Sequence, residues 1–447
     1  MVSKTLLYGS TLKQNKSPAP QSGNNVVKLT GKYNGVNGTP SSFGLDESIL
    51  SKHSLLIGGT GCGKTTLFYH LISQVKRRMT QDDVMIVFDS KGDFYSKFAK
   101  PGDLVIGNST QYYPKSERWN IFKEVLADGW DEERYNINAQ EICKAFFKER
   151  TEKNQSNAFF PNAARDLLAA LVASFIKAAK EDDPAGPKSP IASEYFYNDK
   201  LLEYLNGHNS AEIVETLSHF PENTSVISYI EEEGQQTQGV LSELYSVIRD
   251  LFIGVFAGHG KFSIRDFVRK KGGRTLFIEY DLSIGSVLTP MYSMLFDLAL
   301  KEALGRQQSQ GNVYLFCDEF KLLPRLEHID DGVNFGRSLG VKIFAGLQSI
   351  EQLYEIYKQE KGRNIAAGFS SIYAFRANDT STRKFVTELF GKNMLLEQYT
   401  TLDKKIVEEK RNGYTVEDWD MTELGVGEAV VGLPFAKPFK FYFDMYK

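Results

Sequence analysis

The stretch His53–Ile72, HSLLIGGTGCGKTTLFYHLI, decides the fold. Three apolar residues, Leu55 to Ile57, run into a glycine-rich turn, which runs into Lys-Thr-Thr and a helix-like pattern. Gly58, Gly63, Lys64 and Thr65 satisfy G-x-x-x-x-G-K-[ST] in full, in the strand-to-helix setting the motif requires. Glycines let the backbone wrap a phosphate chain with its N–H groups, and the new helix points its positive end at it. Gly58, Gly59, Thr60, Gly61, Cys62, Gly63, Lys64, Thr65 and Thr66 are therefore the expected nucleotide cradle, with ATP and Mg²⁺ as the expected cofactors. Lys64 neutralises phosphate charge, the Thr65 hydroxyl reaches the metal, and Cys62 reads as a small spacer.

Such a loop needs a metal-holding acid at the end of another buried strand, and NVYLFCDEF (312–320) supplies one. Asp318 is expected in the Mg²⁺ shell, and Glu319 as the base that polarises the attacking water. Downstream, VKIFAGLQS (341–349) puts Gln348 at the end of a strand that should neighbour the acidic one, where an amide can sense a γ-phosphate. Arg337, in NFGRSLG, is a surface arginine in a monomer and an arginine-finger candidate in a ring; Arg376 and Arg383 are weaker candidates for that role.

Around these motifs the chain alternates. DVMIVFD (83–89) and GDLVIG (102–107) continue the β-α-β rhythm of a parallel sheet, and sheet elements return past residue 240. Between 126 and 240 the apolar positions recur at helical spacing, so an inserted all-α domain is expected between two segments of a nucleotide-binding domain, 1–125 and 241–447. Residues 1–50, rich in Gly, Ser, Asn and Pro, read as a loosely ordered lead-in that packs onto the motor core, with VVKLTGKY as a candidate short strand.

Composition excludes several classes. Hydrophobic residues at 42%, charged at 24% and a net charge of −3 describe an ordinary globular chain. Residues 131–240 hold 19 acidic and 10 basic side chains, net −9, so the remainder carries +6. Such a surface is either a solvated helical face or a dock for a basic partner. The basic runs VKRRM (75–79) and VRKKGGR (268–274) are candidate phosphate contacts. Cys62, Cys143 and Cys317 lack CxxC spacing, so neither a disulfide framework nor a zinc site is expected, and a reducing, cytosolic compartment fits. No run reaches the ~18 apolar residues of a membrane span; LLAALVASFI (167–176) is about half that.

LLIGGTGCGKTT, VFDSKGDFYSK, RWNIF, FFPNAARDLLAALVA, GRTLFIEYDL, FCDEFKLLPRLEHI, GRSLGVKIFAGLQSIEQL and GEAVVGLPFAKPFKFYFDMY follow in an order that resembles the coupling-protein ATPases of conjugation and type IV secretion. That family is related to the FtsK/HerA translocases within the RecA-like P-loop class, and the resemblance covers residues from about 40 onward. It implies an α/β fold with a mainly parallel central sheet, and a hexameric ring that hydrolyses ATP and passes single-stranded DNA or protein toward a secretion channel. The helical insertion would recognise the relaxase or other cargo. By position, the resemblance implies phosphate and Mg²⁺ roles for Lys64 and Thr65, an acid pair at Asp318 and Glu319, a subunit-bridging Arg337, a sensor at Gln348, and a nucleotide-site acid at Asp89. Family members usually begin with transmembrane helices, whereas this chain starts almost directly at the motor. A cytoplasmic ring recruited to the membrane by a partner is therefore expected. The alternatives are a HerA-like translocase in DNA processing or defence, and a nucleotide-gated adaptor.

Overall fold

The computed structural model describes residues 3–15, 24–153, 157–186, 190–305, 311–400, 406–434 and 436–447. Its strands are, in the first half, β1 (Ser3–Tyr8), β2 (Asn25–Tyr33), β3 (Thr39–Asp46), β4 (Ser54–Ile57), β5 (Val84–Asp89), β6 (Leu104–Ile106) and β7 (Arg274–Glu279). They continue with β8 (Val313–Cys317), β9 (Val341–Leu347), β10 (Ser371–Phe375), β11 (Lys392–Thr400), β12 (Ile406–Tyr414), β13 (Glu428–Gly432) and β14 (Phe439–Phe443).

Eleven of these form one sheet in the order β3-β2-β14-β13-β10-β4-β9-β8-β5-β7-β6. From β10 to β6 every pairing is parallel, and from β10 through β13, β14 and β2 to β3 every pairing is antiparallel. The parallel strands are apolar along their whole length because both faces are covered. The two-residue period of a strand assigns each side chain to a face: Leu55, Ile57, Val84, Ile86 and Phe88 join one core, Leu56, Met85 and Val87 the other. This is an α/β architecture with the P-loop strand β4 separated from the acid-bearing β8 by β9 alone, the RecA-like arrangement.

The helical stretch joins the first of these cores. Helices Glu132–Lys153, Phe159–Asp182 and Gln235–Leu251 pack on one another, and the first and third also pack on helix Gly285–Leu304, which lies against the sheet. Residue 240 falls inside the helix Gln235–Leu251, so the helical run extends past that position to Leu251. Where the chain leaves for this layer and where it returns are tied together. The fully buried Glu124 carboxylate accepts from Ser263 Oγ (3.0 Å), Ile264 N (2.8 Å), Arg265 N (3.0 Å) and Trp119 Nε1 (2.8 Å). Helix Phe159–Asp182 has the length and apolar composition of a membrane crossing, and Leu167, Leu168, Leu171, Val172 and Ile176 are buried against its neighbouring helices.

The lead-in departs from expectation. Residues 25–46 form an antiparallel hairpin, β2–β3, added to the main sheet through β14, and β1 pairs with β11 in a separate sheet, β1-β11-β12. Turn-forming residues in "TPSSFGLD" hid β3; its ladder with β2 and the burial of Phe43 and Leu45 hold it extended.

Candidate nucleotide site

The P-loop leaves the carboxyl end of β4 and is pinned on three sides by backbone. Gly58 N donates to Leu347 O at the end of β9 (3.1 Å), Gly59 N to Arg376 O past β10 (2.8 Å), and Gly427 N to Cys62 O (2.9 Å). Two glycines are sterically required. Gly58 has φ 149° and a Cβ there would lie 2.7 Å from Phe375 Cβ; Gly63 has φ 114° and its Cβ would lie 3.0 Å from Gly427 Cα. Gly63 caps helix Lys64–Arg78, whose first-turn N–H groups therefore open toward the loop. The buried Lys64 ammonium folds back to Gly58 O (2.6 Å) and Gly59 O (3.0 Å), within 3.9 Å of Cys62 Sγ. Thr60 and Gly61 are exposed at the loop tip, and Thr66 is half-buried on the helix.

Strand order brings the remaining candidates to this edge. Thr65 Oγ1 donates to Asp318 Oδ2 (3.1 Å), joining the P-loop helix to the end of β8. Gln348, past β9 between them, accepts from Thr60 Oγ1 (3.2 Å) and donates through Nε2 to Glu319 Oε2 (2.9 Å). Burial pushes the Asp318 carboxyl up, offset by the nearby Lys91 charge, the Thr65 hydroxyl and the Lys64 charge. The other Glu319 oxygen, Oε1, is buried with no hydrogen-bond partner. These residues fit a magnesium nucleotide. A hydroxyl and one carboxylate side by side are the hard oxygen donors Mg²⁺ takes alongside substrate phosphates, and an ammonium resting on neutral carbonyls exchanges them readily for phosphate oxygens. Among the described residues no group of three His, Cys, Asp or Glu side chains forms a metal cage of its own.

Asp89 ends β5, directly beside β8 in register, and is buried. Its Oδ2 accepts from Tyr95 N (2.9 Å), Oδ1 has no partner, and burial, the largest influence on it, raises its pKa. Arg376 sits exposed beside the loop, whereas Arg383 is held by Asp418 (2.8 Å). Arg337 lies elsewhere. It is exposed on the turn Gly336–Leu339 that precedes β9, and its charge helps lower the pKa of the buried Lys52, just before β4, after burial itself. The seven residues of β9 separate it from its own chain's P-loop, a span of about 23 Å at 3.3 Å per residue. Within the basic runs, Lys76 pairs with Asp103 (2.5 Å), Arg269 with Asp128 and Glu302 (both 2.6 Å) and Lys270 with Asp266 (3.0 Å).

Sequence reasoning missed two supports of this site. Gly427 and the Arg376 carbonyl brace the P-loop from the C-terminal half, and only their places at strand ends, Gly427 just before β13 and Arg376 just after β10, hinted at it. Lys91 stood inside the quoted FDSKGD, but only the chain's course past β5 brings its charge toward Asp318.

The fold and the gathered side chains define a RecA-like P-loop nucleotide-binding core. The family model described as the type IV secretion-system coupling protein DNA-binding domain matches residues 41–404, and the chain belongs to that family. Coupling protein TraD of Escherichia coli (strain K12) is 23% identical over 356 residues, covering 77% of this chain; the chain spans about half the length of that relative, 45%. Among solved structures, unbound TrwBdeltaN70, a bacterial conjugative coupling protein, aligns over 100% of this chain and 93% of its own with a TM-score of 0.71 and 19% identity. Plasmid coupling protein TrwB in complex with ADP and Mg²⁺ aligns over 100% and 94% with a TM-score of 0.68, also at 19% identity. VirB4 of Thermoanaerobacter pseudethanolicus aligns over 96% and 98% with a TM-score of 0.50 at 12% identity.

Proposed function

We propose that this chain is the ATP-hydrolysing motor of a coupling protein that moves DNA, as a single strand joined to its relaxase, or protein cargo during conjugative transfer. The observation that carries the reading is the chain of contacts Thr60–Gln348–Glu319, which links the phosphate loop to the acid suited to activate water. Family membership and the TrwB structure titled as a complex with ADP and Mg²⁺ support it. In this reading residues 1–125 and the chain past Leu251 are the motor, and the stretch from 126 to the end of helix Gln235–Leu251 is an inserted all-α cargo domain. The motor works as a hexameric ring on the cytoplasmic side, held to a membrane by a partner.

Each residue then has a task. Lys64 leaves the Gly58 and Gly59 carbonyls for phosphate oxygens, and the P-loop N–H groups orient the nucleotide. Thr65 and Asp318 would hold Mg²⁺, which would supply positive charge to the reacting phosphates. Glu319 accepts the proton of the attacking water through the oxygen that Gln348 does not occupy, while Gln348 fixes the carboxylate and reads the γ-phosphate. Asp89 shapes the far wall of the site. Arg337, too distant from its own loop, serves the neighbouring subunit's phosphate.

Steady-state hydrolysis of Mg-ATP, with and without single-stranded DNA, tests the proposal. Lys64→Ala should weaken nucleotide binding, while Glu319→Gln should bind the nucleotide normally and lose turnover by about 10² or more. Undiminished hydrolysis in Glu319→Gln would remove that residue from its role. Nucleotide binding with no turnover in the unaltered protein would favour a switchable adaptor instead.

A further inference from the structure

Glu319 is followed by a continuous tight turn: Leu322 N donates to Glu319 O (3.0 Å) and Leu323 N to Phe320 O (3.1 Å). The next segment, Pro324–His328, is held from outside the motor. Helix Glu132–Lys153 presents Lys144, Lys148 and Glu152 at four-residue spacing, one stripe on its surface. Lys148 Nζ donates to Arg325 O (2.9 Å) and Glu327 Oε1 (3.1 Å), Lys144 pairs with Glu327 (3.2 Å), and Glu152 pairs with Arg325 Nε (2.8 Å). From the sheet side, Tyr357 Oη accepts from Leu326 N (3.0 Å) and Asp297 from His328 N (3.0 Å).

This clamp is poorly explained as a stability device. Its ion pairs face solvent, where each adds little to folding, and Arg325 is held at φ 62°, a conformation unfavourable to a side chain. Beside it, between the insertion helix and helix Gly285–Leu304, lies a cavity of about 260 Å³ bordered by Ile137, Ala145, Pro290, Met294 and Pro324. Close packing therefore does not lock the two helices together there, and Pro290 interrupts the hydrogen bonding of the second. Lys301 and Glu141 bridge these two helices (2.6 Å), while the ionic stripe is what ties the insertion helix to Pro324–Glu327.

From this geometry we infer that Lys144, Lys148 and Glu152 are positioning residues for Glu319: they set the segment behind the catalytic acid, so the position of the helical insertion governs turnover. The inference rests on the ATPase reading for its kinetic consequence only. A load on the insertion moves the stripe, the stripe moves Pro324–Glu327, and the tight turn carries the shift to Glu319.

Two charge reversals and their combination test it in the full chain. Arg325→Glu and Glu152→Arg should each lower kcat for Mg-ATP about threefold to tenfold with KM nearly unchanged, and the double swap should recover most of the loss. Hydrogen exchange of residues 319–328 without nucleotide should quicken in each single variant and slow again in the double. Unchanged exchange in both single variants would overturn the clamp. Quickened exchange with wild-type kcat would overturn its influence on Glu319. A wild-type chain that hydrolyses no ATP would fault the ATPase reading, and the exchange pattern would then decide the clamp alone.

Discussion

The two edges of the parallel sheet handle buried polar atoms differently. At the carboxyl edge the partnerless buried atoms among the described residues include two carboxylate oxygens, Asp89 Oδ1 and Glu319 Oε1, beside the neutral Asn108 Nδ2 and Ser109 Oγ past β6. At the amino edge they are neutral: His53 Nε2 and the hydroxyls of Ser54 and Ser371. A buried anion without a partner is costly and calls for a cation or a proton donor, whereas a neutral atom needs only to stay neutral. The other charges of the amino edge are consumed locally. Lys342 pairs with Glu47 (2.8 Å) over the Tyr314 ring, and Asp83 accepts from Thr80 N (2.7 Å) and Asn312 N (2.8 Å). One edge is built to receive a ligand, the other to close the fold.

Arg337 is an exposed cation on the closed edge, and altering it should break the comparison most sharply. If its guanidinium completes a neighbouring subunit's site, Arg337→Ala should lower hydrolysis on the order of 10³. Mixing Arg337→Ala with Glu319→Gln subunits should restore part of the activity, because some interfaces then pair an intact Glu319 with an intact arginine. Wild-type rates in Arg337→Ala alone would confine all chemistry to the carboxyl edge and point to Arg376.

The neutral edge makes a pH prediction. Burial, then the Lys342 charge, lowers the pKa of His53 to about 3, while the unfolded chain titrates near the ordinary 6.5. Below that value the unfolded state takes up a proton the folded state refuses, so stability present above 6.5 falls as pH drops toward 3. At pH 5 the loss from this group is about 2 kcal/mol. His53 sits at φ 59° and its Nδ1 accepts from Ile343 N (3.1 Å). Asparagine tolerates that backbone and keeps an acceptor, so His53→Asn should remove this share of the acid sensitivity in thermal melts at pH 7 and 5. An equal drop in both proteins would show that His53 is not the titrating group.

The smallest effect belongs to Gln348. Its amide bonds Glu319 and not Asp318, so Gln348→Ala should cost about tenfold in kcat and leave nucleotide affinity nearly intact. A loss concentrated in KM would recast it as a binding residue, and the carboxyl edge as more cradle than catalyst.

Much of that edge was legible beforehand because motif chemistry is local. Glycines, Lys64 and Thr65 lie within eight consecutive residues, Gly58 to Thr65, and a buried strand ending in Asp-Glu announces itself by composition. Gln348 was placed correctly since a strand neighbouring β8 had to end level with it. Strands β3, β11 and β12 were missed for the opposite reason. Neither "TPSSFGLD" nor the charged pair "KNMLLEQYT" and "IVEEKRNGY" alternates cleanly, and each is a strand only through partners: β3 beside β2, which itself joins β14, and β11 and β12 beside each other and β1.

The sequence by itself determined the phosphate loop, the acid pair and the parallel rhythm, since each depends on residues a few positions apart and on backbone freedom that only glycine provides. Tertiary structure decided the rest. Gly427 and the Arg376 carbonyl brace the loop from more than three hundred residues away in the chain. Arg337 stands at the far end of β9 from its own site, and Glu152 reaches the segment behind Glu319 from another helical layer. Such contacts follow from the order in which strands pair and helices stack, which no local spacing encodes.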